Sequence, residues 1–420
     1  MNYSYKQVFC LPVIVAALGY FVDIYDLLLF SIVRVNSLTD LGYAGTELMD
    51  QGIVLINMQM AGMLVGGILW GVLGDKKGRL SVLFGSILLY SLANLGNGFV
   101  QTAGQYAILR FIAGVGLAGE LGAGITLVAE ILPKEIRGYG TSLVAAFGLL
   151  GAVLANIMAE LFDWRTAYFI GGGLGLVLLL LRVSIKESGI YKKIKASSHQ
   201  KGNFLSLFNN RKRLYKYIRC ILIGLPIWFV IGILMTFSPE IAAARGIEYV
   251  VAGKAVMYGY IGLSSGDIMS GLLSQYLRSR KKAAAVFIVL TGLALATYLY
   301  YPWQSYNGIY ACCGLLGFSI GYWALFVTIA AEQFGSNLRA TVATTVPNFI
   351  RATVVPLSFV FLYLTNKTNL ITAAVITGAA TILIAIIALF FMEETFTRSL
   401  DFVEDMKSDK ISRGHNEQKL

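Results

Sequence analysis

Long apolar stretches separated by short polar turns make up almost the whole chain. About twenty apolar residues in a helix cross ~30 Å of hydrocarbon, and lipid offers the backbone no hydrogen-bond partners, so each stretch is predicted to be a membrane-spanning α-helix. The pattern predicts twelve such helices, at residues 9–33, 52–73, 80–100, 104–131, 138–160 and 165–185, and at 218–240, 252–276, 281–300, 308–332, 339–364 and 369–391.

Composition agrees with this pattern. The 420 residues are 57% hydrophobic and 14% charged, with a mean hydropathy of +0.69, whereas soluble domains are ~45–50% apolar. The sequence therefore indicates an all-α membrane protein. The first apolar run has no small-residue cleavage site and is expected to remain as the first helix rather than act as a signal peptide. The four cysteines have no framework spacing and are expected to pack in the interior.

Basic residues lie on one side of the predicted helices, which gives the net charge of +11 a membrane rather than a nucleic-acid explanation. Loops rich in Lys and Arg are retained in the cytoplasm. Both termini are therefore expected to be cytoplasmic, and the short loops suggest a bacterial inner membrane. The residues that set this side are Lys76, Lys77, Arg79, Lys134, Arg137, the basic residues of 186–219, and those of 278–282.

The chain divides into two similar halves. A basic, polar linker at 186–217 separates a six-helix bundle at 1–185 from a second bundle at 218–392, and a charged cytoplasmic tail occupies 393–420. Within the linker, Asn203–Asn210 is predicted to form a short amphipathic surface helix. Three motifs recur at offsets of 200, 202 and 207 residues, which indicates a duplicated transporter: Gly71, Gly74 and Asp75 recur as Gly271, Ser274 and Gln275; Glu130 and Arg137 as Glu332 and Arg339; Glu187 as Glu394.

The turn Gly71-x-x-Gly74-Asp75-x-x-Gly78-Arg79 resembles the loop signature of the major facilitator superfamily between its second and third helices. Arg110-x-x-x-Gly114-x-Gly116 is similar to that superfamily's fourth-helix motif. The recurring acid and arginine motifs resemble its sugar-porter and metabolite–proton symporter branch, which includes transporters of the organic cation type. The resemblance implies the major facilitator fold, with twelve transmembrane helices in two pseudo-symmetric six-helix bundles, alternating access, and no cofactor.

Some positions depart from that pattern. Gln275 replaces an expected acid, and Glu187 follows the sixth helix where the branch has prolines. Within the seventh helix, the segment 224–228 lacks the glutamines that hold hexoses in sugar porters. Sugar is therefore rejected as the substrate class.

Charged residues cluster at the predicted cytoplasmic helix ends of both halves. The resemblance implies that these pairs hold the cytoplasmic gate closed while the cavity faces outward. Solvated loop charges of little consequence are the plainer interpretation, but their recurrence in both halves favours a gate. Its members are predicted to be Asp75, Arg79, Glu130, Arg137, Glu187, Glu332, Arg339 and Glu394.

Five charged residues fall near the middle of predicted helices: Asp23, Asp26, Glu120, Asp267 and Arg351. Each costs about 2.5–3.5 kcal/mol at the bilayer centre, so they are expected to face an aqueous cavity or one another. Glu120 could instead form an ion pair between helices, Asp267 could cap a helix, and Arg351 could pair with one of the acids.

The string Asp23-Ile24-Tyr25-Asp26 resembles the first-helix motif of proton-coupled metabolite and aromatic-acid symporters. It places both carboxylates on one helix face. If protons are coupled to transport, Asp23, Asp26 and Glu120 are the candidates to carry them.

Charge arithmetic then favours a substrate class. Four midplane acids against one base leave a negative cavity, which suits a basic amino acid such as arginine or lysine, or an organic cation. Its carboxylate would bind Arg351 bidentately, and its cationic group would lie among Asp26, Glu120, Asp267 and the aromatic residues Tyr25, Trp228, Tyr322 and Trp323. The alternative is a proton-coupled symporter of a small carboxylate metabolite.

Other function classes find less support. The chain has no Gly-x-x-x-x-Gly-Lys-Ser/Thr phosphate loop, and no nucleophile–base or metal-ligand constellation, so neither an ATP-driven pump nor an enzyme is expected. A non-transporting sensor that kept the fold is a further alternative. The expected partners are a small-molecule substrate, protons and the lipid bilayer, with the chain acting as a monomer.

Overall fold

The computed structural model describes residues 9–77, 79–132, 137–186 and 204–396. The first half contains helices α1 (Leu11–Asp40), α2 (Thr46–Lys77), α3 (Arg79–Asn97), α4 (Ala103–Leu117), α5 (Glu120–Ile131), α6 (Arg137–Leu149), α7 (Gly151–Leu161) and α8 (Trp164–Lys186). We call the end of the bundle where α1 begins and α2 ends the inner end, and the opposite one the outer end.

In the predicted linker, a single 3₁₀ turn, Phe204–Leu207, lies where the sequence predicted an amphipathic helix. The chain then leads into the second half. It continues with α9 (Arg211–Ile223), α10 (Leu225–Phe229), a π-helical stretch (Val230–Met235), α11 (Ser238–Ala243), α12 (Ala252–Tyr276), α13 (Arg280–Tyr300), α14 (Tyr306–Ser319), α15 (Trp323–Glu332), α16 (Ser336–Ala352), α17 (Val354–Lys367) and α18 (Leu370–Phe390).

Several predicted spans are two helices with a break between them. The predicted fourth, fifth, tenth and eleventh helices correspond to the pairs α4–α5, α6–α7, α14–α15 and α16–α17, and the seventh to α9, α10 and the π-helical stretch. Within the described residues, eight helices are long and apolar enough to cross a membrane, or nine with the pair Arg211–Ile223 and Leu225–Met235, which is bent by 41°. At that bend Pro226 lies in the first turn of α10, where its missing N–H costs no helical hydrogen bond.

Glycines bring one pair of helices into close contact in each half. A Cβ at Gly62 of α2 would collide with the carbonyl of Phe111 in α4, and one at Gly262 of α12 with that of Gly314 in α14. Gly66 and Gly266 repeat the arrangement one turn further along, again 200 residues apart. Small residues allow this approach where lipid provides no hydrophobic drive. The duplication therefore extends to the helix contacts themselves.

The two halves meet along α2, which packs against α16 and α17, and along α1 and α7, which pack against α12. Polar bonds cross this boundary in the bundle interior. Asn348 of α16 donates to the carbonyl of Ala118 at 2.8 Å, and Ser358 of α17 donates to Asn57 of α2 at 2.8 Å.

A buried ion pair joins the two halves at the outer end. Arg34 of α1 has no solvent exposure, and its Nη2 donates to both carboxylate oxygens of Glu240 in α11 at 2.5 and 2.8 Å. The same guanidinium donates to the carbonyls of Leu48 and Thr236 and lies 4.4 Å from the ring centroid of Phe237. We call this arrangement the outer clasp, because it fastens α1 to the outer part of the seventh span.

At the inner end of the second half, two of the predicted gate acids lie in one network. Glu332 pairs with Arg280 at 3.4 Å and accepts from Thr395 at 2.7 Å. Glu394 accepts from the Ser279 hydroxyl and from the first backbone amides of α13. Burial alone would raise the pKa of Glu394, but these hydrogen bonds hold it below its ordinary value.

The structure describes no comparable network for the remaining predicted gate residues. The described contacts of Arg339 include a 3.4 Å bond to the carbonyl of Phe334. Glu187 and the side chains of Asp75, Arg79, Glu130 and Arg137 lie outside the described part of the chain. A gate formed by both halves therefore stays a prediction.

The outer clasp predicts a marked effect of Arg34→Gln. Removing one partner of a buried ion pair typically costs ~3–5 kcal/mol, and Glu240 keeps 23% exposure, so we expect a loss of about 3 kcal/mol of stability. Thermal unfolding of the purified protein would measure it. Lys254→Gln is the matched control, because the Lys254–Glu160 pair is 45% and 48% exposed and such pairs contribute little. Equal effects of the two substitutions would contradict the assignment.

Candidate functional site

A buried arginine between two tryptophans forms the centre of the candidate site. Arg351 of α16 is 1% exposed, and its guanidinium carbon lies 5.7 Å from the Trp228 ring centroid and 5.8 Å from that of Trp323. The two indoles pack edge to face at 6.4 Å. After the break in the seventh span, Trp228 lies within the short helix α10, and after the break in the tenth span Trp323 is the first residue of α15. We call the three residues the arginine cage.

Arg351 forms no ion pair with an acid in the part of the chain that the structure describes. Among the described residues, Arg351 donates to Oδ1 of Asn348 at 3.4 Å, and its Nε is buried without a hydrogen-bond partner. Asn348 in turn donates to Ala118, at the break between α4 and α5. The Arg351 guanidinium therefore lies against the boundary between the halves with donor capacity left for a ligand.

Glu120, at the start of α5, already has a partner. Arg182 of α8 donates through Nη1 to Oε2 at 3.0 Å and through Nη2 to Oε1, and the two side chains are 3% and 1% exposed. A Cβ at Gly19 of α1 would collide with both groups, so this glycine makes room for the pair. The structure thus shows the interhelical ion pair that the sequence analysis held as the alternative for Glu120.

Asp23 and Asp26 of α1 are completely buried. All four carboxylate oxygens lack a hydrogen-bond partner among the described residues. Asp23 is within electrostatic range of Arg351, Glu120 and Arg182, and Asp26 of Arg110 and Asp23. Asp23 therefore faces the arginine cage and the Glu120–Arg182 pair, whereas Asp26 belongs to the interior of the first half.

Three other predicted site residues form hydrogen bonds with the protein backbone. Oδ1 of Asp267 accepts from the backbone amide of Ala324 at 3.0 Å and so caps the start of α15, while its Oδ2 has no described partner. The Tyr322 hydroxyl donates to the carbonyl of Ile223 at 2.9 Å. Tyr25 donates to the carbonyl of Ala167 in α8 at 2.8 Å, inside the first half.

The charge count that favoured a cationic substrate was incomplete. It omitted Arg110 and Arg182, which the structure places beside Asp26 and Glu120. In the sequence Arg110 stands out as part of a motif and as a possible partner of Glu120, and Arg182 falls near the end of the predicted sixth helix. A long arginine near a helix end can reach inward to a buried acid, and the helical period alone does not reveal its direction. Four acids therefore face three arginines in the interior.

The site is closed in this conformation. Asp26, Glu120 and Arg351 are at most 1% exposed. A cavity of about 320 Å³ lies elsewhere, at the inner end of the second half, where α9 meets the end of α18. It is lined by Lys212, Tyr215, Lys216, Arg219, Gln333, Phe391, Met392 and Glu393.

The sequence profile described as Major Facilitator Superfamily matches residues 16–346. The chain belongs to this superfamily. It is a multi-pass membrane transporter and not an enzyme. The predicted fold is thereby confirmed, as an all-helical major facilitator fold.

Characterised relatives carry several kinds of solute. The sialic acid transporter NanX of Escherichia coli (strain K12) is 26% identical over 333 residues, 77% of this chain and 79% of NanX. The niacin transporter NiaP of Acinetobacter baylyi is 26% identical over 324 residues, 68% of this chain and 72% of NiaP. The 3-(3-hydroxy-phenyl)propionate transporter of Escherichia coli (strain K12) is 26% identical over 306 residues, 69% of this chain and 74% of that protein.

The proton:xylose symporter XylE from E. coli is similar in structure. In its complex with 6-bromo-6-deoxy-D-glucose it aligns with a TM-score of 0.70 at 16% identity, over 95% of this chain and 98% of XylE. At that identity the likeness concerns the fold and not the substrate.

The Glu120–Arg182 pair predicts non-additive losses of stability. Glu120→Gln or Arg182→Gln alone leaves one buried charge unpaired, which is costlier than removing both charges. We therefore expect the double variant to unfold at a higher temperature than the more damaged single variant, with a coupling of about 1–3 kcal/mol. Thermal unfolding of the four proteins measures the cycle, and purely additive losses would contradict a direct pair.

Proposed function

We propose that this transporter is a proton-coupled symporter of a small monocarboxylate, with an aromatic or heteroaromatic acid as the preferred substrate. The observation that supports it most is the arginine cage, a buried guanidinium that lies between two indoles and has no described acidic partner. A guanidinium binds a carboxylate bidentately. Indole faces and edges pack against a flat ring, and such aromatic pairs add ~0.5–1.5 kcal/mol beyond burial.

The relatives support the same class. Sialic acid, niacin and 3-(3-hydroxyphenyl)propionate all carry one carboxyl group, and the last two also carry an aromatic ring. A basic amino acid is no longer favoured, because Glu120 is bound to Arg182 and Asp267 caps a helix.

Proton coupling is proposed for Asp23 and Asp26. A buried carboxylate without hydrogen bonds is costly, and protonation removes its charge. Asp23 is close enough to Arg351 to compete electrostatically with a bound carboxylate. Protonation of Asp23 would therefore favour substrate on Arg351, so that proton and substrate move together.

The proposal also covers the organisation of the chain. Residues 1–185 and 218–392 would rock about the site as two bodies, joined by the linker at 186–217, with both termini and the tail at 393–420 in the cytoplasm. The outer clasp would open as the site turns outward, and the predicted inner gate would close. The chain would function as a monomer in the cytoplasmic membrane.

Uptake into proteoliposomes tests the substrate class. Labelled nicotinate or 3-(3-hydroxyphenyl)propionate should accumulate and labelled lysine should not. Arg351→Gln should weaken carboxylate binding about 10–100-fold, since a charge-assisted bidentate bond is lost. Competition by nicotinamide, which lacks the carboxylate, should change much less. Arg245→Gln is the control, since this arginine bonds backbone carbonyls at the outer end of the second half. Lysine uptake that depends on Glu120 would overturn the proposal.

Asp26→Asn tests proton coupling. The amide cannot carry the proton, so uptake driven by an imposed pH gradient should fall at least about tenfold. Exchange of labelled for unlabelled nicotinate at equal pH needs no net proton movement and should continue. Asp163→Asn, at an exposed outer position of the same half, should change neither measurement. Retention of gradient-driven uptake by Asp26→Asn would remove Asp26 from the coupling mechanism.

A further inference from the structure

A stripe of polar side chains runs along α3 inside the first half. Tyr90, Asn94 and Asn97 occur at helical spacing on one face, with Ser91 beside them, and all four have no solvent exposure. Helix α3 packs against α4, α5 and α8, so this face points into the first half and away from the arginine cage of the second. The substrate site therefore leaves the stripe unexplained.

Structural cross-linking accounts for only part of these groups, since Oδ1 of Asn94 is the one stripe atom with a described bond to a neighbouring helix. Polar side chains can join membrane helices when they bond to one another. Here the Tyr90 hydroxyl, the Ser91 hydroxyl, Nδ2 of Asn94 and Oδ1 of Asn97 have no hydrogen-bond partner among the described residues. A buried polar group without a partner destabilises the fold, and an apolar residue would avoid that cost.

The part of the stripe nearer the outer end, at Asn94 and Asn97, adjoins Asp26. Oδ1 of Asn94 accepts from Arg110 at 3.0 Å and from Nδ2 of Asn97 at 3.4 Å, and Arg110 also lies beside Asp26. On the facing helix α8, a Cβ at Gly171 would collide with Oδ1 of Asp26. One turn further, a Cβ at Gly175 would collide with the Ser91 hydroxyl. Asp26 and Ser91 thus border the same glycine face of α8.

The part of the stripe nearer the inner end, at Tyr90, adjoins the Glu120–Arg182 pair. Along α8, Gly171 lies against Asp26, Gly175 against Ser91 and the Tyr90 ring, and Arg182 binds Glu120. Tyr90 is within electrostatic range of both carboxyl groups. Arg182 also donates to the carbonyl of Leu83, two turns from Tyr90 on α3. Tyr90 and Ser91 therefore stand between two buried carboxyl groups.

We propose that the α3 stripe is the proton route of this transporter, and that Tyr90 and Ser91 relay a proton between Asp26 and Glu120 inside the first half, apart from the substrate route at Arg351. The inference rests on the proposed proton symport. Buried polar groups are commonly satisfied by internal water, and a chain of hydroxyls and water passes protons on.

The transfer leaves each hydroxyl along the route with the same number of protons as before. An O–H bond breaks at the Asp26 carboxyl and one forms at the Glu120 carboxylate, while each intervening hydroxyl gains one proton and gives up another. Protonated Glu120 no longer carries the charge that binds Arg182, so arrival of the proton weakens the contact between α5 and α8. Among the described residues, the other charged or titratable groups facing the two carboxyls are Asp23 and Tyr25 on α1, Arg110 on α4, and Tyr168 and Arg182 on α8.

The test compares Tyr90→Phe with Tyr298→Phe in proteoliposomes. Tyr298 of α13 is equally buried and its hydroxyl also lacks a described partner, but it lies in the second half. The probe is whichever of nicotinate and 3-(3-hydroxyphenyl)propionate the wild type exchanges. Tyr90→Phe should reduce uptake driven by a pH gradient, and the accompanying proton influx seen with an internal pH dye, about tenfold or more. Exchange at equal pH should remain close to wild type, and Tyr298→Phe should change neither measurement.

The outcomes separate this inference from the proposed function. Wild-type exchange of the probe without any response to a pH gradient would overturn proton symport and the route with it. A fully coupled Tyr90→Phe variant would overturn the route alone. Loss of exchange as well, or an equal defect in Tyr298→Phe, would show that the effect is not specific to proton transfer and would also overturn it. Ser91→Ala serves the same test should Tyr90→Phe fail to fold.

Discussion

The cost of charge in a medium without water governs this structure. An ionised group near the bilayer centre must find a partner or a function, and the chain contains both solutions. Arg34 with Glu240, and Arg182 with Glu120, are closed ion pairs that hold helices together. Within the described ranges, Arg351, Asp23 and Asp26 form no such ion pair. The unpaired groups are therefore the ones to which transport is assigned.

The duplicated scaffold has been used differently in its two halves. Glycines 200 residues apart bring α2 to α4 and α12 to α14 in the same way. On that common frame the first half carries buried acids, arginines and the polar face of α3, whereas the second half presents an arginine between indoles. Such a division would let one half handle the proton and the other the organic anion, with Asp23 facing Arg351 where they meet.

Much of the fold could be predicted because hydrophobic length alone defines a membrane span. The eighth helix, predicted at 252–276, has those bounds as α12. The breaks inside spans were missed, because residues such as Ala118, Leu150 and Ile320 continue the apolar pattern through them. Of the site, the sequence identified the charged residues of α1 and α16. It missed Arg182 and Asn94, because their importance comes from where neighbouring helices place an acid, and that is a property of tertiary packing.

The bend at Gly224 and the π-helical stretch after Phe229 give the seventh span an unusual form. Trp228 stands at one end of this short rod and Glu240 at the other, roughly 18 Å apart at 1.5 Å per residue. A π-helical turn is wound more loosely than its neighbours and is a common place for a helix to change shape. A solute bound against the Trp228 indole would thus act through this segment on the Glu240 carboxylate that Arg34 holds. Occupation of the proposed substrate site would in this way weaken the outer clasp.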